Sequence, residues 1–226
     1  MLTLALDTSA VTASVALVRD SRTVASFSVT NKLTHSQTLL PMIDAAFRIS
    51  GLEISDLSLI AVSHGPGSFT GLRIGISTVK GLCFAHNLPC VGISTLEALA
   101  YNLIDCEGAL ICPCMDARRN EFYNALFEVK QRSLIRLTPD RAISGEALTS
   151  ELGGRDFIVC GDGAVKFVEG FAPDLRLAGE GARLQNAVST ALLAEKKYAC
   201  GEFVAGERLT PVYLRQSGAE RKKNDK

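Results

Sequence analysis

Two parts of this chain repeat the same order of predicted elements. LALDTSAVTASVAL predicts a strand that ends at Asp7, a polar turn and a returning strand, and LICPCMDARRNEFYNALF predicts the same hairpin around Asp116, with its returning strand over 121–129. Each hairpin is followed later by an apolar strand, a glycine-rich turn and a helix, around HGPGSFTGLRIG and in FIVCGDGAVKFV. Two copies of strand, strand, strand, helix, strand, helix indicate two similar lobes that face each other across a cleft.

The repeated βββαβα order is typical of the actin, sugar-kinase and heat-shock ATPase superfamily, and it predicts an α/β, actin-like fold. The 226 residues are enough for two such lobes, which we place at 1–101 and, smaller, at 102–226. In that architecture an aspartate-bearing hairpin from each lobe points at the phosphates and metal of a nucleotide. The candidate nucleotide cleft consists of Asp7, Thr8, Ser9, Asp116, Gly161, Asp162 and Gly163.

The loop HGPGSFTGLRIG, from His64 to Gly75, has the composition of an anion site. It is not a Walker A sequence, because it lacks G-K-[ST], and its glycines at 65, 67 and 71 do not have the spacing of a dinucleotide fingerprint. Glycines allow a backbone to approach closely, and a helix N-terminus attracts negative charge. The same residues also make a tight turn with a helix cap at Ser68 or Thr70, and composition alone favours that simpler interpretation.

The helix predicted after this loop, in TGLRIGISTVKGLCFAH, contains glycines that each cost about 1 kcal/mol relative to alanine. Small residues four apart let a second backbone approach closely, either that of the lobe's own sheet or that of another protein. HSQTLLPMIDAAFRIS predicts a broadly apolar helix beside it. We favour a partner surface across both helices, with contacts at Leu39, Leu40, Ile43, Phe47, Leu72, Gly75, Val79 and Leu82.

Composition argues against several classes of function. The 24 basic and 24 acidic residues cancel, so no overall field draws the chain to nucleic acid or to a membrane. The seven cysteines contain no C-x-x-C pair and the three histidines make no H-x-x-x-H or H-E-x-x-H pattern, which argues against a zinc site and for reduced thiols in the cytoplasm. The start lacks a basic segment and no apolar run approaches about 18 residues, so we expect neither secretion nor a membrane span.

Several motifs, spread over nearly the whole chain, carry a family resemblance. DTSAVTASVAL, HSQTLLPMID, GPGSFTGLRIG followed by GISTLEALA, MDARRNEFYNALF and the terminal PVYLR are similar to the bacterial TsaB (YeaZ) family. The resemblance implies a subunit of the machinery that makes threonylcarbamoyladenosine in tRNA, next to the anticodon. It implies a non-catalytic paralogue that pairs with the transferase TsaD and is joined by the ATPase TsaE, while a separate enzyme supplies threonylcarbamoyl-adenylate. It also implies that the end of the chain returns to the first lobe.

The transferase resembles this chain but carries an H-x-x-x-H metal pair where this sequence has Thr95 and Leu99. Neither side chain replaces an imidazole as a metal ligand, and Glu97 alone does not make a site. The resemblance therefore implies a scaffold without catalytic residues, metal or required cofactor, whose ATP or ADP site, if kept, is weak and lies in the cleft or at the complex interface. The exposed apolar surface should form a homodimer when the partner is absent.

Two other functions stay open. An ATP-dependent phosphotransferase would need Asp7, Asp116 and the 161–163 turn to converge on a metal-bound nucleotide. A protease has little support, because no G-x-S-x-G elbow or Cys/His arrangement stands out, and a peptidase activity lost on mutating Ser68 or His64 would revive it.

Contact with tRNA is expected mainly through the complex. Direct contacts would come from the basic tail, at Arg221, Lys222 and Lys223, or from Arg118 and Arg119 in the second hairpin. Most basic tails and turns are solvated surface, which is the simpler interpretation of both segments.

Overall fold

Two β-sheets organise the chain, and each contains one strand that ends at an aspartate of the candidate cleft. The computed structural model describes residues 1–31 and 33–215. The first lobe consists of β1 (Leu2–Asp7), β2 (Thr12–Arg19), β3 (Arg22–Thr30), α1 (His35–Ser50), a short 3₁₀ turn (Ile54–Asp56), β4 (Leu59–Gly65), α2 (Phe69–His86), β5 (Pro89–Ser94) and α3 (Thr95–Tyr101).

The second lobe is built from shorter elements. They are β6 (Leu110–Asp116), β7 (Glu121–Asn124), β8 (Phe127–Lys130), β9 (Ser133–Arg136), β10 (Arg141–Ser144), α4 (Gly145–Leu152), β11 (Phe157–Cys160), α5 (Ala164–Phe171) and β12 (Arg176–Leu177). The chain then continues through α6 (Glu180–Arg183), α7 (Ala187–Ala199), β13 (Val204–Ala205) and a 3₁₀ turn (Gly206–Arg208).

The two sheets share one strand order, which confirms the predicted duplication. The first runs β13-β5-β4-β1-β2-β3, and the main path of the second runs β10-β7-β6-β11-β12. In both lobes the aspartate-bearing strand pairs antiparallel with the strand after it. It also pairs parallel with the strand that follows the first helix of that lobe. Asp7 and Asp116 therefore lie at equivalent strand ends.

The first sheet is covered on both faces, and all of β1 is buried. Because successive side chains of a strand point to opposite faces, Leu4 and Leu6 face a core that includes α1 and α2, whereas Ala5 faces α3 and α7. On that second face α7 presents Ala187 and Ala191, so small side chains meet at this contact.

Residues 187–205, near the end of the described chain, lie against the first lobe. Helix α7 contacts β1, β2 and β4, and β13 pairs antiparallel with β5 and so forms one edge of the sheet. On α7, Glu195 accepts hydrogen bonds from the Thr3 hydroxyl at 3.1 Å and from the Ser21 backbone N–H at 2.9 Å. Helix α3 also packs on β6 of the second lobe, and the division of the chain after residue 101 stays a prediction.

The single returning strand predicted over 121–129 is wrong, because this stretch forms β7 and β8. Strand β7 pairs with the end of β6, while β8 pairs with its start. Between them lies Pro113 of β6, which has no N–H to donate to the sheet. The Asn124 amide donates to the Pro113 carbonyl at 2.9 Å instead, and the ladder is interrupted there.

Candidate functional site

Most of the predicted partner contacts lie inside the first lobe. Leu39, Ile43, Phe47, Leu72, Gly75 and Val79 are buried. Leu82 is partly buried, and only Leu40, at 59% exposed, is largely open to solvent. The lobe's own core accounts for the six buried residues, and as partner contacts all eight stay a prediction.

The glycines of α2 differ in how much space surrounds them. A Cβ at Gly71 would overlap the Thr8 carbonyl oxygen, and one at Gly75 would overlap the Thr8 hydroxyl oxygen. The Thr8 hydroxyl also donates to the Gly71 carbonyl at 2.8 Å. A Cβ at Gly81, by contrast, would meet nothing within 4 Å. The first two glycines therefore accommodate the hairpin of their own lobe, while Gly81 lies on the open side of the helix.

Exposed apolar or small residues lie on both long helices: Leu40 and Ile49 on α1, and Ser77, Gly81 and Phe84 along one side of α2. We call these five residues the docking face. Phe84 is 93% exposed and Ile49 is 69% exposed. A phenylalanine with almost no cover is unusual on a soluble surface, and such residues mark contact sites when they occur together.

Asp7, at the end of β1, is buried and hydrogen-bonded within its own lobe. Its carboxylate accepts from the Ser9 backbone N–H at 2.9 Å, the Ser9 hydroxyl at 2.6 Å and the Ser63 hydroxyl at 2.6 Å. Burial raises the pKa of Asp7, and these hydrogen bonds partly oppose the rise. Both of its oxygens are thus already engaged by the protein.

Asp116, the equivalent residue of the second lobe, is exposed and paired. Its Oδ1 accepts from the Lys166 ammonium at 3.0 Å and from the Arg118 backbone N–H at 2.8 Å. Among residues 1–31 and 33–215, no three His, Cys, Asp or Glu side chains are grouped to hold a metal ion. Asp7 is therefore satisfied within its own lobe, and Asp116 is paired with the ammonium group of Lys166.

The glycine-rich turn of the second lobe contributes Asp162. Burial, together with the nearby carboxylates of Asp116 and Asp7, raises the pKa of Asp162 to about 6. Its Oδ1 and both polar atoms of the buried Gln185 amide lack a hydrogen-bond partner among the described residues. Side chains at Gly161 and Gly163 would overlap or crowd the backbone at the end of β6, which explains why this turn needs glycine.

A cavity of about 590 Å³ lies between the lobes. It brings together Ser9, Asp116 and Asp162 of the predicted cleft, while Asp7, Thr8, Gly161 and Gly163 do not line it. Ser68 and Thr70 of the loop before α2 also line it, and the Ser68 hydroxyl caps α2 by accepting from the Gly71 N–H at 3.3 Å. The loop thus forms a capped turn, as its simpler interpretation predicts.

Sequence reasoning missed the final described residues, which form one wall of the same cavity. Val212, Tyr213, Leu214 and Arg215 all line it. Their motif, PVYLR, contributed to the family resemblance, but neither spacing nor periodicity assigned it a place. Arg118 and Arg119 are exposed on the turn after β6, whereas Arg221, Lys222 and Lys223 lie outside the described residues.

The positions that resemble the metal pair of the transferase are filled by core residues. Leu99 is 1% exposed, and Thr95 is fully buried, with no hydrogen-bond partner for its hydroxyl within residues 1–31 and 33–215. Glu97 forms ion pairs with Arg136 at 3.6 Å and with Lys197 at 3.7 Å. Thr95 and Leu99 therefore pack in the core at the start of α3, while Glu97 is held in ion pairs.

Comparison with known proteins identifies the family. A family model described as TsaD, tRNA N6-adenosine threonylcarbamoyltransferase, matches residues 29–222. The tRNA threonylcarbamoyladenosine biosynthesis protein TsaB of Escherichia coli is 32% identical over 97% of this chain and 96% of its own length. The chain belongs to the TsaB (YeaZ) family.

Solved structures agree with the family and with the fold. YeaZ from Pseudomonas aeruginosa is 31% identical, covers 94% of this chain and 99% of its own, and has a TM-score of 0.82. A ROK hexokinase from Thermus thermophilus is 13% identical, covers 88% of this chain and all of its own, with a TM-score of 0.51, and so shares the fold alone. The actin-like fold predicted for this TsaB family member is thus confirmed, and no described helix is long and apolar enough to cross a membrane.

Proposed function

We propose that this TsaB family member is a non-catalytic subunit of the complex that transfers a threonylcarbamoyl group to tRNA. The near full-length similarity to the E. coli biosynthesis protein supports the pathway. The single observation that carries the non-catalytic role is the pair Thr95 and Leu99, which fills the place of two metal-binding histidines with buried, non-ligating side chains. Without that metal, the helix start offers nothing to hold or polarise the transferred group.

The scaffold binds the transferase TsaD through the docking face. Phe84 and Ile49 are too exposed to be explained by the core of their own lobe, and Gly81 leaves room on α2 for a second backbone. Of the predicted contacts, Leu40 is part of this face, and the partly buried Leu82 lies on the same helix as Phe84. When TsaD is absent, the same apolar side chains favour a homodimer, because large apolar patches rarely remain in contact with water.

The mass in solution tests this proposal, measured by light scattering on a sizing column. We expect the chain alone to be a dimer and to exchange into a one-to-one complex with TsaD from the same organism. Phe84→Asp should abolish both assemblies, whereas Ile135→Asp, at a 45% exposed site of the second lobe, should change neither. Gly75→Leu is unsuitable, because its side chain would enter the space of Thr8 and damage the fold. A wild-type chain that stays monomeric and ignores TsaD would overturn the proposal.

The rival function is an ATP-binding phosphotransferase, and the cleft geometry gives it little support. Asp7 is engaged by Ser9 and Ser63, and Asp116 is neutralised by Lys166. We propose that no cofactor is required and that ATP or ADP binds weakly at most. Millimolar ATP with Mg²⁺ should therefore leave the melting temperature unchanged, since tight binding to the native state must raise it. A clear upward shift that is lost in Asp116→Asn would favour the phosphotransferase.

The remaining partners follow from the same role. We propose that the ATPase TsaE joins the pair, and that tRNA is contacted mainly through the complex, because the chain has no net charge. Seven cysteines without a disulfide support a cytoplasmic location. Retention of labelled tRNA by the complex but not by the isolated chain, at physiological salt, is the expected result.

A further inference from the structure

Residues 210–215, which we call the strap, cross from the first lobe to the second beside the cavity. On the first lobe, the Val212 N–H donates to the His64 carbonyl at 2.8 Å. Gly65 has no side chain at the point where the Val212 carbonyl approaches it, so the strap lies directly on the backbone at the end of β4. This contact fixes the start of the strap.

An aromatic stack holds the middle of the strap. The Tyr213 ring stacks on Phe69, the first residue of α2, with centroids 4.7 Å apart. The Arg73 guanidinium lies 3.9 Å from the centre of the Phe69 ring and donates to the Tyr213 hydroxyl at 3.2 Å. Three side chains from two segments thus form one group, which ties the strap to the first turns of α2.

The end of the strap binds the second lobe. Arg215 donates to the Ala117 carbonyl at 2.7 Å and forms an ion pair with Glu121 at 2.6 Å, with only 16% of its side chain exposed. Ala117 and Glu121 are the two ends of the turn between β6 and β7, so Arg215 binds both ends of this turn.

The turn that Arg215 binds has an unfavourable backbone conformation. Arg118, Arg119 and Asn120 all have positive φ, at 65°, 56° and 57°, a region that residues with side chains rarely adopt. Such a conformation persists when its surroundings hold it. Arg215 supplies a hydrogen bond and an ion pair at the ends of this run, and the Ala117 N–H closes the turn by donating to the Glu121 carbonyl at 3.0 Å.

We propose that the strap is an interlobe latch: Tyr213 and Arg215 hold the 117–121 turn of the second lobe against the N-terminus of α2 and set how far the cleft opens. The latch requires both anchors, since a strap released from either lobe no longer joins them. It is a property of the chain alone and does not depend on the proposed binding of TsaD.

Hydrogen exchange of the full chain tests the latch, with small-angle scattering as a second readout. Arg215→Gln should speed exchange of the 117–121 amides at least tenfold and increase the radius of gyration, while the β1 amides stay unchanged. Tyr213→Ala, which leaves the ion pair with Glu121 possible, should give the same release. The double variant should add nothing further, because a latch opened at one end is already open.

A matched variant excludes a general loss of stability. Arg208→Gln removes an exposed arginine from the same C-terminal segment and should leave exchange of the turn at the wild-type rate. If Arg215→Gln fails to fold, Glu121→Gln, which keeps the Ala117 contact, replaces it with the same expected result. Folded Arg215→Gln and Tyr213→Ala proteins with wild-type exchange in the turn and an unchanged radius of gyration would overturn the proposal.

Discussion

The two lobes share a strand order but differ in the size of nearly every element around it. Helices α1 and α2 have 16 and 18 residues, whereas their counterparts α4 and α5 have eight each. Strand β3 has nine residues and β10 has four, and β5 has six where β12 has two. Duplication has preserved the pairing of the strands, while the layers that cover them have diverged. The long helices α1 and α2 cover the first sheet and also expose Leu40, Ile49 and Phe84.

The cores of the two lobes also differ in the side chains that fill them. The first lobe is packed mainly by aliphatic side chains and alanines, whereas Phe122, Phe167 and Phe171 form an aromatic cluster in the second. Eight-residue helices are marginal by themselves, so packing has to hold them in place. We infer that a few large rings stabilise the small lobe and that many close aliphatic contacts stabilise the large one.

The largest effect is therefore expected in the aromatic cluster. Phe122 meets Phe167 at 5.3 Å and Phe171 at 5.9 Å between ring centroids, and it is fully buried. Phe122→Ala should lower the free energy of unfolding by about 3–5 kcal/mol in a denaturant titration. Phe84→Ala, at the 93% exposed ring of the first lobe, should change it by less than about 0.5 kcal/mol. A loss below about 1 kcal/mol at Phe122 would contradict the dependence of the second lobe on its rings.

A smaller change in stability is expected from glycine-to-alanine substitutions, and its sign should differ between a crowded position of the first lobe and open positions of both lobes. Gly71→Ala places a methyl group against the Thr8 carbonyl and should cost about 1–3 kcal/mol through overpacking. Gly81→Ala in the same helix and Gly170→Ala in α5 meet nothing within 4 Å and should stabilise the chain by up to about 1 kcal/mol. Thermal melts of the three variants decide the matter, and equal melting temperatures would show that the approach of Thr8 is not tight.

The smallest effect depends on pH and concerns the turn of the second lobe. An acid whose pKa is raised by folding destabilises the folded chain when it is ionised. Folding raises the pKa of Asp162 from 3.8 to about 6. This cost is absent below its ordinary pKa and is complete above about pH 6. Asp162→Asn should therefore raise the free energy of unfolding by about 1–2 kcal/mol at pH 8 and much less at pH 4.

Asp174→Asn is the control for Asp162, because it removes a carboxylate from an exposed position of the same lobe. If Asp162→Asn shifts stability equally at both pH values, its effect comes from a changed hydrogen bond and not from relief of a buried charge. Urea titrations at the two pH values distinguish these outcomes.

Sequence patterns predicted the duplication because it depends on local signals. Apolar runs that end at Asp7 and Asp116 mark the two hairpins, and the apolar run FIVC marks β11. The error over 121–129 arose because the break in that strand is caused by Pro113, a residue of the neighbouring strand. A pattern within one segment does not reveal which partner strand lacks a donor.

The candidate site was harder to predict than the fold. Helical periodicity predicted one apolar stripe on α1, with Leu39 and Ile43, and another on α2, with Leu72 and Val79, but the same period describes a core face and a contact face. The exposed fraction of each side chain distinguishes the core face from the contact face, and it identifies Phe84 as an exposed residue. The strap was beyond sequence reasoning, because residues 210–215 have no regular structure and their anchors, Phe69 and Glu121, are distant in the chain.

The position of α7 on the first sheet has a consequence for the order of folding during synthesis. Strands and helices of the second lobe, from β6 to β12, form one continuous stretch of chain, so its sheet can assemble as soon as that stretch leaves the ribosome. The first sheet is synthesised earlier but lacks the cover of α7 on one face and the edge strand β13 until residues 187–205 emerge. The lobe that is translated first is therefore completed last.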